Sequence, residues 1–226
     1  MLPVGFSAVM LEGAINTILA AIYGILCARY WGPEIAGLAS LAFTLAGIFS
    51  FVSCFGIEQI VIARYVESKR HEALFLATLF IRVSGVGLSA GGVLLASLTM
   101  NAFAEEWRFL PALAFIQMGL SSLDLLRLRT QAMANLHHQV FPRLAIAGPF
   151  FLAKVASLVF QSPSDSIWLT LWLSIAETSL YLVVSIYFTQ SLAPLALRPF
   201  PPWQSLKAQV LDILTASAPL FAAGLM

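Results

Sequence analysis

The chain has 226 residues, 60% of them hydrophobic and only 10% charged, with a formal net charge of +1 and a mean hydropathy of +0.89. A soluble domain carries about 25% charged residues and could not hide this much apolar surface, so the composition predicts an all-α integral membrane protein with several spans. The near-balanced charge offers no global field for nucleic acid.

A first span is expected over Phe6–Cys27. No basic stretch precedes it, so it reads as an uncleaved span and not a signal peptide. Glu12 and Asn16, four apart, share one of its faces. The run Arg29-Tyr30-Trp31-Gly32-Pro33-Glu34 reads as an outer turn into a second span, Ile35–Phe55, rich in small residues that allow close helix packing. That span leaves through Phe55-Gly56-Ile57-Glu58 into an amphipathic interfacial helix, Gln59–Tyr65, and a basic loop.

A third span is expected over Ala73–Met100, where Thr78, Arg82, Gly85, Ser89 and Gly92 follow helical spacing and form one small, polar stripe. Trp107 anchors the next turn at the interface. In the fourth span, Phe109–Leu128, a second stripe runs through Gln117, Ser121 and Asp124. Arg143 opens a fifth span, Phe141–Gln161, with Lys154 eleven residues on and nearly on the same face, and Pro149 is expected to bend it. The sixth, Ile167–Gln190, holds Glu177 and Tyr181 four apart, with Ser174, Thr178 and Ser185 nearby.

Pro194, Pro199, Pro201 and Pro202 stiffen a linker. The expected organisation is a six-transmembrane-helix lobe over 1–192, a cytoplasmic linker over 193–210 and the start of a seventh helix over 211–226. Cys27 and Cys54 form no metal or redox motif and are expected as packing thiols.

The aromatic-Gly-Pro-Glu turn at Trp31–Glu34, the small-residue span, Gly56-Ile57-Glu58 and the exit Ala63-Arg64-Tyr65 together resemble the first hairpin of bacterial polysaccharide flippases. These are the Wzx-type transporters within the multidrug/oligosaccharidyl-lipid/polysaccharide exporter superfamily. The loop with Arg129 and Gln131-Ala132, and the Pro-containing Leu214–Leu220, are similar to the same family. The resemblance implies export of polyprenyl-diphosphate-linked oligosaccharide units for O-antigen and related lipopolysaccharide biosynthesis. It also implies that this chain is the first half, needing a second lobe, and that it works beside polysaccharide polymerase machinery.

Orientation follows from Lys and Arg. The stretches after spans two, four and six hold Arg64, Lys69, Arg70, Arg127, Arg129, Arg143, Arg198 and Lys207, whereas those after spans one, three and five hold only Arg29 and Arg108. This bias predicts a cytoplasmic N-terminus, and the resemblance implies that the membrane is a bacterial inner membrane.

No phosphate-binding Gly loop or nucleophile–base set appears, so the chain does not read as an enzyme. His71, His137 and His138 fall on loops and are expected to be solvated. An ionisable side chain inside a span costs at least ~2.5–3.5 kcal/mol and therefore faces a cavity or a partner. The candidates are Arg82, Lys154, Glu177, Asp124 and Glu12; the resemblance implies that Arg82 and Lys154 would bind the anionic diphosphate and that Glu177, Asp124 and Glu12 would be polar cavity or coupling residues for a proton or sodium gradient. The competing reading has these charges paired structurally, for example Arg82 with Glu177, or Asp124 with Arg127. The alternatives are a cation-coupled multidrug exporter of the same superfamily and an inactive remnant. A membrane-embedded transferase would want a larger catalytic loop. No resident cofactor is expected.

Overall fold

The computed structural model describes residues 4–54, 57–67, 71–99, 107–125, 137–192 and 203–224, with side-chain surroundings for most of them. These residues are almost wholly helical, and no strand occurs among them. The helices are α1 (Val4–Cys54), α2 (Ile57–Glu67), α3 (His71–Thr99), α4 (Leu110–Ser122), α5 (His137–Phe160), α6 (Pro163–Leu192) and α7 (Trp203–Gly224). Four stretches are long and apolar enough to cross a membrane: Met10–Ser50, Ala73–Thr99, Val140–Phe160 and Pro163–Tyr187; Leu110–Ser122 is a shorter apolar helix.

The first of these runs for 41 residues. Straight, it would extend ~60 Å, about twice the hydrocarbon thickness. It is broken at Gly32, whose φ of 79° and ψ of 166° are open essentially to glycine alone. Pro33 reinforces the break, because a residue before proline avoids the helical region and proline itself suits a helix start. Asn16 and Phe43 line one cavity, although they would stand ~40 Å apart on a straight helix. The chain therefore doubles back at Gly32, and the two arms of α1 are packed in one body.

The second arm buries the small side chains Ala39, Ala42 and Ala46 against Ala114 and Phe115 of α4 and Val93 of α3. Gly92 belongs to this close packing: a Cβ there would meet the ring of Phe49 at 2.3 Å. A second core joins Ile57 and Val61 of α2, Ala77 and Ile81 of α3, and Ile213 of α7, and Arg64 of α2 is ion-paired with Asp212 of α7. Cys27 is a buried free thiol in the first core; the side chain of Cys54 lies outside the described residues.

Outward faces are apolar. Leu88, Leu152 and Val183 are exposed by 73%, 67% and 59%, values that suit hydrocarbon and would aggregate a soluble protein. Hydroxyls within the long helices are quenched locally: Thr17, Thr44, Thr78 and Thr178 each donate to the carbonyl four residues earlier. The chain is thus all-α and built for a membrane. The expected Gln59–Tyr65 helix is present within α2, with Ile57, Val61 and Tyr65 turned inward. Helix ends differ from the expected span ends: α4 stops at Ser122, short of Leu128, α5 begins at His137, four residues before Phe141, α6 begins at Pro163, four residues before Ile167, and α7 begins at Trp203, within the stretch read as linker.

Candidate functional site

A cavity of about 780 Å³ opens between both arms of α1, α4, α5 and α6. Its polar lining includes Asn16, Gln117, Lys154, Thr170, Glu177 and Tyr181. The reason lies in the pattern of α6. Ser166, Thr170, Ser174, Thr178 and Ser185 are buried, while Trp172, Leu180, Val183 and Tyr187 are exposed. The polar side of the helix faces inward and the apolar side faces outward, the arrangement that a lipid surround selects.

Lys154 and Glu177 meet on the cavity wall. The ammonium Nζ donates to Glu177 Oε2 at 2.6 Å, and Tyr181 Oη donates to Glu177 Oε1 at 2.7 Å. Their side chains are 14% and 16% exposed. The two helices are joined by a short turn at 161–162, and Lys154, seven residues before it, reaches the carboxylate of Glu177, fifteen residues beyond it. Gln117 Oε1, in the same wall, is a buried acceptor with no donor.

A second cluster lies beyond Tyr181. Arg143, 5% exposed, donates to Asp124 and, at 2.7 Å, to Ser185 Oγ. Its guanidinium also stands 3.9 Å from Glu12 Oε1 and 5.4 Å from the Tyr181 ring centroid. Glu12 comes from the first arm of α1, Asp124 from the segment after α4, and Ser185 and Tyr181 from α6. One cation therefore ties three elements to α5. Tyr181 joins the two clusters, with its hydroxyl on Glu177 and its ring beside Arg143.

Toward the Gly32 end lie hydroxyls and aromatic rings. Tyr23 Oη and Thr170 Oγ1 are 2.6 Å apart, Trp31 Nε1 donates to Ser166 Oγ at 3.2 Å, and Ser157 Oγ lies 3.4 Å from both Ser166 and Thr170. Trp107 stacks on Trp168 with ring centroids 6.0 Å apart.

Of the five sequence candidates, four gather here. Lys154 and Glu177 pair in the cavity, and Glu12 and Asp124 converge on Arg143 behind it. Arg82 stands elsewhere. It is 1% exposed beside the α2–α3–α7 core, donates to Glu58 Oε1 at 2.9 Å, and is absent from the cavity lining. Glu177 thus pairs with Lys154 and not Arg82, and Asp124 pairs with Arg143; Arg127 lies outside the described residues, as do the side chains of all three histidines. Arg143 was legible only as a basic residue opening a span. Its eleven-residue relation to Lys154 was the signal that it faces inward.

No family model, curated protein or solved structure matches the chain. What the site can do therefore follows from its geometry. It can hold a polar or charged group within an apolar bundle, and it brings an exchangeable cation, a carboxylate and a phenol to one wall.

Proposed function

We propose that the chain is a lobe of a membrane transporter that carries an anionic lipid head group bearing a glycan, a polyprenyl-diphosphate-linked oligosaccharide, across a bacterial inner membrane for surface polysaccharide synthesis. The observation that carries this reading is Lys154, an ammonium on the wall of a cavity between apolar helices. Glu177 takes one of its N–H groups. Two others remain for phosphate oxygens. Tyr23, Phe43, Phe151 and Tyr181 add aromatic surface suited to sugar rings, and Asn16 and Gln117 add amides for hydroxyls.

In this reading the two arms of α1, then α3, α4, α5 and α6 are the spans of one lobe, and α7 belongs to the next. With Arg143 removed from the loop count, seven basic residues on one side against Arg29 and Arg108 on the other still favour a cytoplasmic N-terminus. Alternating access then follows from rocking this lobe against a second one.

One observation favours the rival reading, a cation-coupled drug exporter. Glu12, Asp124 and Glu177 outnumber Arg143 and Lys154 around the site. The anionic cargo remains the better fit because Glu12 and Asp124 are drawn onto Arg143 and do not line the cavity. The test is complementation of a bacterium lacking its own O-unit flippase, scored by surface polysaccharide, with the chain alone and joined to its downstream reading frame. Rescue that disappears in Lys154→Gln and persists in Lys154→Arg supports the proposal. Drug resistance conferred without rescue would replace it with the rival.

A further inference from the structure

Two packing units meet just beyond the end of α4. One is the cavity, lined by residues of α1, α4, α5 and α6 and, among the described residues, by none from α2, α3 or α7. The other is the core in which α7 packs on α2 and α3, joining Ile213 to Ile57, Val61, Ala77 and Ile81. Leu125, 2% exposed, belongs to that second core. Asp124, the residue before it, belongs to the cluster on Arg143 behind the cavity. Two consecutive residues thus send their side chains into different units.

The turn that carries them is tight. Leu123 ends α4 at φ −81° and ψ −3°, Asp124 N donates to Ser121 O at 3.3 Å, and Leu125 N donates to Leu123 O at 2.7 Å. With both amides held and consecutive Cα atoms about 3.8 Å apart, a shift of Leu125 in its core carries Asp124 with it. Asp124 has little slack of its own. Its Oδ2 accepts from Arg143 and, at 3.2 Å, from Ser185 Oγ, and Ser185 Oγ accepts from Arg143 at 2.7 Å. From Arg143 the connection runs through the Tyr181 ring to Glu177 and Lys154 in the cavity wall. Glu177, Tyr181 and Ser185 stand four apart on one face of α6.

We infer that Leu125 is a positioning residue that ties the seating of α7 in the α2–α3 core, through Asp124, to the Arg143 cluster and the cavity beyond it. With α7 seated, Asp124 is held on Arg143, and Arg143 stands 3.9 Å from Glu12 on the first arm of α1. Unseating α7 slackens the junction, loosens Asp124 and frees that arm, which lines the cavity through Asn16. The coupling is reciprocal, so a change at the cavity alters how firmly α7 is seated. A second route is available, because α3 packs on α1 and α4 as well as on α7. That route bypasses Asp124, which separates the two by experiment. The inference rests on the cavity as a transport site for its purpose, and its test uses no cargo, so the two readings fail separately.

The test uses the full chain in lipid nanodiscs. Cys27→Ser/Cys54→Ser/Asn16→Cys places one thiol on the cavity lining, one turn along α1 from Glu12. Its rate of labelling by a water-soluble maleimide is measured where circular dichroism shows each variant folded. Ile213→Ala on α7 and Leu125→Ala at the junction should each raise the rate by roughly two- to thirtyfold, the span that residues along such networks produce. Should Ile213→Ala not fold, Ile213→Val takes its place, with a rise at the lower end of that span. Leu211→Ala, at a position of α7 that is 52% exposed, should leave the rate unchanged. Asp124→Asn should raise the rate by itself, and either core variant added to it should change the rate by less than about twofold. A rate unmoved or lowered by the core variants overturns the inference. So does an equal rise with and without Asp124→Asn, which would route the effect through α3.

Discussion

Removing Arg143 should be the most damaging single change in the chain, and the damage should be reversible by removing its partners. The guanidinium is 5% exposed and serves Asp124, Ser185, Glu12 and the Tyr181 ring together. At the 3.9 Å separation from Glu12 and an effective dielectric constant of about 20, one unit pair is worth about 4 kcal/mol before desolvation is subtracted. Breaking a buried pair by deleting one partner costs roughly 3–5 kcal/mol, because the other charge is stranded. Arg143→Met should therefore lose roughly 3–5 kcal/mol in reversible unfolding in mixed micelles, followed by tryptophan fluorescence. Replacing the stranded acids as well, in Glu12→Gln/Asp124→Asn/Arg143→Met, should recover most of that loss, since no buried charge then lacks a counter-ion. A loss under about 1 kcal/mol for the single variant, the range of solvated surface pairs, would mean that Arg143 is wet. A triple variant no better than the single one would mean that packing, not charge, was lost.

The same reasoning separates sites that look alike in sequence. Arg64→Ala should cost under about 1 kcal/mol in the same unfolding assay, because its pair with Asp212 has side chains 34% and 53% exposed. Gly92→Ala should cost roughly 1–3 kcal/mol by overpacking on the Phe49 ring, and Phe49→Leu in the same chain should relieve part of it. Gly32→Ala forces a side chain into backbone space that strains any L-residue by roughly 1–3 kcal/mol, and cysteine-accessibility mapping should show the two α1 arms failing to pair. Trp31→Phe removes one buried hydrogen bond to Ser166 and should cost about 1 kcal/mol with the fold intact.

Legibility in this sequence tracked the range of the interaction. Apolar run length located the four long apolar stretches, and Gly32-Pro33 marked the reversal of α1, because both are local constraints on backbone and solvent. The 3.6-residue period found the inward stripe of α3, where Thr78, Arg82 and Ser89 are all buried. The same period linked Arg143 to Lys154. Periodicity names a face, however, and not the neighbour it meets. Arg82 meets Glu58, a residue read as part of an interfacial exit, because α2 folds back along α3. Arg143 was counted among loop charges because hydropathy begins the span at Phe141, whereas the helix begins at His137 and carries Arg143 into the bundle. The helix starts four residues, about one helical turn, before the expected span, and at the edge of a membrane one turn separates a solvated topology signal from a buried counter-ion. In Arg143 that turn moves an arginine from the surface to the centre of a network joining α1, α5, α6 and the segment after α4, so the organisation of this site depends on where a polar helix end stops being loop.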